Sequence, residues 1–455
     1  MKTNIFKRYS YWFKSAKYTA IQKFITLAFG VLSFILLTRL LDLSSFGEWG
    51  LFLIIAGICE TARTALIKNA FVRFSNQVST DEQASLQTAA FVLSFIIAFI
   101  LSLFLFFFAN IFSYYLNAPD LTIMLKWFGL SLIVGTLFSH TEIIFTSRLD
   151  FRGICWIYCL RQALLFLPVL VYFFFNAKIT PVGLSIIYFL SVFISSLVGL
   201  WFGRGLLHFS FIKYREWIFK TWSFGKFVLW NNISSLLFRS TDNFITSKYF
   251  GTTVAGQYNA CLRIGNLIDL PSQVLSDILY PRAAKFSATD KKEIKNIYEK
   301  SVGASLVFSI PALITLILIP DIVLALLAGH KFIIAANILR VTAIFGFILP
   351  FLKQFGTVMD ATGSPKVNFL VMFFAFIINI FANLGGVHIW GPIGAAIGTL
   401  FTYFIIFILT QIILFNRFGV SLKKIFSNTF YFYRLIFSQG KAFLKLSTKI
   451  ANDKG

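Results

Sequence analysis

Residues 86–109 read LQTAAFVLSFIIAFILSLFLFFFA, 24 residues without a charge. A helix rises 1.5 Å per residue, so this run reaches about 36 Å, enough to cross the ~30 Å hydrocarbon core of a bilayer. A backbone in lipid must satisfy its own hydrogen bonds, and a single uncharged run does so only as a helix. The rest of the chain repeats the pattern. Runs of this kind lie near 19–41, 46–68, 121–145, 154–175 and 182–203, and then near 224–248, 254–280, 301–326, 333–359, 367–387 and 392–415. With the quoted run they make twelve predicted spans, six on each side of a polar break.

Composition agrees. The 455 residues are 58% hydrophobic and 13% charged, too few charges to cover a soluble protein of this length. The net charge of +23 does not mark a nucleic-acid surface, because the basic residues gather at the ends of the runs. With the N-terminus inside, the predicted inside segments hold roughly 27 Lys and Arg, while the outside loops hold Lys178 and Lys331, with Arg39 and Lys248 at outer ends of spans. That asymmetry places both termini in the cytoplasm. The first run, with no small-residue cleavage site after it, reads as a retained span.

The predicted organisation is an interfacial N-terminal segment (1–18), a first lobe (19–204), an inter-lobe linker (205–223), a second lobe (224–416) and a basic amphipathic tail (417–455). Tyr9–Lys17 mixes Lys with aromatic residues, as suits a membrane surface, and 421–449 alternates Phe, Leu and Tyr with Lys in the same way. No internal loop is long enough for an extramembrane domain.

The two lobes are related in sequence. Arg39, Gly47 and Trp49 recur as Lys248, Gly256 and Tyr258 at a shift of 209 residues, and the same shift carries Glu60 to Asp269 and Arg73 to Arg282. Six helices separate the copies, so both have the same membrane orientation. A parallel internal repeat of this kind is a transporter architecture.

The stretches Thr38–Asp42 and Phe46–Trp49, and the longer one from Asp242 to Pro281, resemble the signatures of the polysaccharide transporter family. These are the O-antigen and capsule repeat-unit flippases of the multidrug/oligosaccharidyl-lipid/polysaccharide exporter superfamily. Asp360–Lys366 resembles the family's loop after the tenth span, although Gly363-Ser364-Pro365-Lys366 replaces its usual Gly-Arg and Asp42 stands where many relatives have Gly. The resemblance implies an all-α membrane protein of about twelve helices, in two six-helix lobes around a V-shaped central cavity. It implies a flippase that carries an undecaprenyl-diphosphate-linked oligosaccharide from the cytoplasmic to the periplasmic face of a bacterial inner membrane by alternating access. The expected partners are that glycan lipid, the surrounding membrane lipid and polysaccharide assembly enzymes, with the chain acting as a monomer.

A charge at bilayer depth costs about 2.5–3.5 kcal/mol on insertion scales, so charges inside the runs face protein or water. In the resembling family the first, second, seventh and eighth spans line the cavity, and cations there accommodate the carrier diphosphate. On that basis Arg63, Arg239 and Arg263, assisted by Lys23, are the diphosphate-binding candidates, since guanidinium forks suit a multiply charged diphosphate. Glu60, Asp242 and Asp269 are candidates for coupling to H+ or Na+. Each arginine also reads as one half of a structural ion pair with a neighbouring acid, Arg239 with Asp242 and Arg63 with Glu60 standing three apart on one helix face, and Lys23 as a side chain that snorkels to the cytoplasmic surface. Arg161, Asp277, Arg340 and Lys353 are further charges within the runs. The Asn and Ser residues around 231–246, with Asn259, Asn266 and Gln273, suit either a sugar or helix packing.

No cofactor is implied. Cys59, Cys155, Cys159 and Cys261 lie in apolar segments without CxxC spacing, the four histidines are scattered, and no P-loop, nucleophile elbow or HExxH is present. The alternative of the same fold is a cation-coupled multidrug exporter, which a cationic cavity would disfavour. The loop Asn69–Gln77 lacks the basic signature of a major-facilitator transporter, and a membrane glycan polymerase or ligase would need a larger outer loop.

Overall fold

The computed structural model describes residues 2–75, 77–276, 279 and 291–452. Asp277, Tyr280, Pro281, Arg282 and Lys285 lie outside the described residues, as do the side chains of residues 1–16 and 439–455. The described chain is helical, without strands. Its helices are α1 (Lys2–Leu40), α2 (Leu43–Ser75), α3 (Thr80–Tyr115), α4 (Leu121–Ser147), α5 (Phe151–Phe174), α6 (Pro181–Gly203), α7 (Tyr214–Asn266), α8 (Lys291–Leu318), α9 (Pro320–Leu327), α10 (Ala336–Ala361), α11 (Pro365–Trp390), α12 (Pro392–Phe418) and α13 (Leu422–Asn452).

Ten helical stretches among the described residues are long and apolar enough to cross a membrane. They match ten of the twelve predicted runs. The run at 224–248 falls on α7, where Asn231, Asn232, Arg239 and Asp242 dilute the apolar content, and the run at 254–280 lies partly outside the described residues. The ninth run breaks at Ile319, because Pro320 opens a new short helix. Surfaces are inverted relative to a soluble protein. Phe107 and Phe174 are exposed, whereas Ser185, Ser195 and Ser196 are fully buried, as expected where lipid is the solvent and small polar residues pack helices together.

Two compact units divide the chain, residues 1–259 and 260–455. In the first, α4 packs on α2, α3 and α6, and α5 packs on α1 and α6. Local chemistry sets the helix starts. Thr180 accepts from the Gly183 N–H at 3.1 Å with Pro181 in the first turn, and Asp150 accepts from Gly153 at 3.1 Å. Glu48 on α2 accepts from the Asp120 N–H at 2.9 Å, which pins the start of α4.

Helix α7 is two arms joined at Gly251, whose φ of 79° and ψ of 176° suit glycine alone. The chain reverses there, so Asp242 on one arm and Tyr258 on the other meet at 2.9 Å. Asn117, in the turn between α3 and α4, donates to the carbonyls of Ser247 (3.4 Å) and Lys248 (3.0 Å) and so latches the end of the first arm. The second arm lies against the start of α2, where Gly47 and Gly256 approach backbone to backbone.

In the second unit, α10 packs on α8 and α12, and α11 and α12 form a tight hairpin. Gly386, Gly394 and Gly398 leave no room for a side chain between the hairpin's backbones. Asn379 and Asn383 both donate to Thr399 at 3.0 Å, so the seam combines close approach with buried hydrogen bonds. The start of α13 docks on α8. Ser421 N–H donates to Glu299 at 2.8 Å, Ile425 and Thr429 are buried, and the Tyr433 hydroxyl reaches the Val307 carbonyl at 2.8 Å.

Candidate functional site

The polar interior of the first unit is built on α2. Glu60 and Arg63 stand one turn apart in an otherwise apolar stretch, and Lys68 follows toward the helix end. Three more helices bring polar groups to them: α4 with Glu142, α5 with Arg161 and α6 with Tyr188. Arg161 Nη2 donates to Glu60 Oε1 at 3.0 Å, and the Tyr188 hydroxyl donates to the same oxygen at 2.8 Å. Arg161 Nη2 also lies 2.8 Å from the Tyr188 oxygen, closing a triangle. The Arg161 guanidinium sits over the rings of Phe138 and Tyr188, at 5.2 and 5.4 Å from their centroids. Lys68 pairs with Glu142 at 2.6 Å.

Arg63 is treated differently. It is only 2% exposed, enclosed beside Gly135 of α4 and Val192 of α6. Its Nε and Nη1 atoms have no hydrogen-bond partner among the described residues. The charges around it are Glu60, Arg161 and Glu142. Three cations (Arg63, Arg161 and the partly exposed Lys68) therefore meet two carboxylates (Glu60, Glu142) here. The network is cationic by one charge, and the guanidinium left over is Arg63.

Of the residues singled out in the sequence, Glu60 and Arg63 are thus brought together, but the partner of Glu60 is Arg161. Arg239 and Asp242 are not paired. Arg239 is exposed, while Asp242 is buried and accepts from Tyr258, from the Asn243 N–H at 2.9 Å and from Asn243 Nδ2 at 3.3 Å. Lys23 is exposed on α1. In the second unit Arg263 is half-buried, and Asp269 is buried and accepts from Gln273 at 3.3 Å. Sequence reasoning noted Arg161 without selecting it and passed over Glu142 and Lys68. The readable signal for Glu142 was a lone carboxylate inside the run 121–145.

The remaining candidates behave as packing groups. Cys155 and Cys159 lie 3.8 Å apart on one helix turn, without other ligands, and no group of three metal-ligating side chains exists among the described residues. His140 is buried between the rings of Phe91 and Phe209. Arg340 is half-buried and donates to Asn337 at 2.6 Å and to the Ile317 carbonyl at 3.3 Å.

Comparison with known proteins places this architecture. Residues 36–337 match the polysaccharide biosynthesis protein family. The lipopolysaccharide biosynthesis protein WzxC of Escherichia coli is 22% identical over 406 residues, covering 88% of this chain and 80% of that protein. Among solved structures, the lipid II flippase MurJ in an inward closed conformation superposes with a TM-score of 0.74 at 13% identity, over 92% of this chain and 91% of MurJ. An inward-facing multidrug resistance MATE transporter of the MOP superfamily superposes with a TM-score of 0.71 at 12% identity, over 88% of this chain and 98% of the transporter. MurJ is a lipid II flippase and the MATE protein a multidrug transporter. The chain belongs to the polysaccharide biosynthesis protein family, and it shares the all-helical fold of MurJ and of the inward-facing MATE transporter.

Proposed function

We propose that this protein is a flippase that moves a lipid-linked oligosaccharide across a bacterial inner membrane, with undecaprenyl diphosphate as the carrier and an O-antigen or capsule repeat unit as the cargo. Both termini face the cytoplasm, the cargo moves from the cytoplasmic to the periplasmic face, and the lobes work by alternating access. Family membership supports the class of cargo. The observation that carries the reading is the cationic surplus inside the membrane, where Arg63 keeps two buried N–H donors without an acceptor and Arg239 stands exposed on α7. Such cations are costly in lipid and are retained where an anion passes. The diphosphate candidates are Lys23, Arg63 and Arg239 in the first unit and Arg263 in the second. Arg63 is more enclosed, and it sets the positive potential of the first unit. Glu60, Asp242 or Asp269 couples the cycle to H+ or Na+.

The multidrug-exporter reading is supported by the MATE-like fold. It is disfavoured by the same cationic surplus, since a cationic drug would be repelled.

The deciding experiment is glycan-lipid accumulation in cells lacking the protein, with sidedness probed by a membrane-impermeant lectin or oxidant. Accumulation on the cytoplasmic face, relieved by the wild type but not by Arg239→Ala or Arg263→Ala, supports the flippase and its anion site together. Relief by both variants keeps the flippase and removes the site. No accumulation, with glycan still reaching the outer face, favours the exporter. Loss of flipping when the proton or sodium gradient is collapsed identifies the coupling ion.

A further inference from the structure

Helix α8 changes character at one residue. Lys291 to Lys300 carries six charges, and the 18 residues from Ser301 to Leu318 carry none. Lys300 therefore marks the depth at which water gives way to hydrocarbon. At this level a crevice of about 370 Å³ opens between α8, residues 275 and 279 beyond α7, and α13. Leu275, Leu279, Ile297 and Phe432 form its apolar wall, and Asn296 and Lys300 its polar edge, with Glu293 one turn farther toward water. Lys300 is exposed and has no ion pair among the described residues, whereas its neighbour Lys295 lies 4.0 Å from Glu299.

Helix α13 closes one side of the crevice and has the same polarity. Its buried face, Ile425 and Thr429, is narrower than its apolar arc, so Phe426 and Phe430 remain exposed on the flank. The opposite side carries Lys423, Lys424 and Arg434, and 422–452 contains no acidic residue. A helix with this distribution lies at an anionic lipid surface, where each Lys or Arg adds attraction.

We propose that the α8–α13 crevice is a binding site for an anionic phospholipid of the surrounding bilayer, with its phosphate beside Lys300 and one acyl chain along Leu275, Leu279, Ile297 and Phe432. The site is independent of the transported cargo, and the lipid fastens α13 to the second unit.

The test uses the purified full-length chain, with native mass spectrometry and thermal melting in the presence of phosphatidylglycerol, phosphatidylcholine or undecaprenyl phosphate. The wild type is expected to retain phosphatidylglycerol and to melt higher with it than with phosphatidylcholine. Lys300→Glu should weaken phosphatidylglycerol retention by about tenfold. Ala304→Trp, which fills the crevice, should abolish retention. If that variant does not fold, Phe432→Ala serves in its place and should shorten lipid residence. Equal retention of the two phospholipids, or unchanged phosphatidylglycerol binding in the variants, overturns the proposal. Displacement of phosphatidylglycerol by equimolar undecaprenyl phosphate, lost in Lys300→Glu, also overturns it, because the crevice would then hold the carrier lipid.

Discussion

Gly47 and Gly256, equivalent positions under the 209-residue repeat, meet backbone to backbone where α2 crosses the second arm of α7. The contact is reciprocal. A side chain on Gly47 would strike the carbonyl of Thr252, and one on Gly256 would strike the carbonyl of Leu43, the residue that the same shift makes equivalent to Thr252. Gly50 faces the side chain of Asn259, again its own equivalent. The Ser44 and Thr252 hydroxyls are 2.6 Å apart beside them. A repeat that shares one orientation in the membrane brings matching residues together in this way, and the glycines are the condition for the close approach.

Gly256→Val is therefore expected to destabilise the protein by about 1–3 kcal/mol or more, because backbone and not a movable side chain lies in the way. Gly57→Ala, on the same α2 but with open space around it, should be neutral or slightly stabilising. Melting temperatures of the two variants in one detergent check both. Similar melting of Gly256→Val and the wild type would mean that the helices do not touch at this point.

The Glu60–Arg161 pair should behave as a unit. Glu60→Gln leaves the half-buried Arg161 without its carboxylate and should cost about 1–3 kcal/mol, less than the penalty for a fully buried orphaned charge. The double variant Glu60→Gln with Arg161→Gln should recover a large part of that loss. A double-mutant cycle on thermal or denaturant unfolding reads the coupling, expected between about 1 and 3 kcal/mol. Strict additivity would show that the pair seen at 3.0 Å contributes nothing.

These relationships differ in how far the sequence revealed them. The apolar runs made ten spans readable, since length and charge-free composition are local properties. The equivalence of Gly47 and Gly256 was readable too, although not their contact. The partner of Glu60 was not. Spacing puts Arg63 on the same face, but the carboxylate reaches Arg161, 101 residues away, and that choice depends on how α2 is rotated against α5 and α6. Arg239 and Asp242 illustrate the same limit. Three residues advance a helix by about 300°, so the two sit ~60° apart, and at the edge of a buried face that offset leaves Arg239 outside and Asp242 inside.

Arg63 separates stability from function. Removing it balances the first unit's interior at two cations, Lys68 and Arg161, against Glu60 and Glu142. Arg63→Met keeps most of the side-chain volume and removes two unpartnered buried donors. It is expected to leave the melting temperature unchanged or to raise it, while glycan-lipid flipping in cells falls at least about tenfold. A large drop in melting temperature would instead mark Arg63 as a structural cation whose field holds Glu60 and Glu142 in place.

The hairpin inside α7 makes the last prediction. Its reversal rests on Gly251, whose φ of 79° and ψ of 176° cost a residue with a side chain roughly 1–3 kcal/mol. Its two arms are joined by the Tyr258 hydroxyl donating to Asp242. Tyr258 is fully buried, so Tyr258→Phe removes the donor without opening a cavity. Asp242 would keep its bonds from Asn243, and the expected loss is about 1.5–3 kcal/mol, the worth of a hydrogen bond to a charged acceptor. Asp242→Asn should lose less, because the amide oxygen still accepts from Tyr258 and no charge has to be held inside the protein. Denaturant unfolding of both variants gives the order. If Asp242→Asn is the more damaging of the two, the carboxylate has a role that its hydrogen bonds to Tyr258 and Asn243 do not explain, and proton or sodium binding at Asp242 becomes the next measurement.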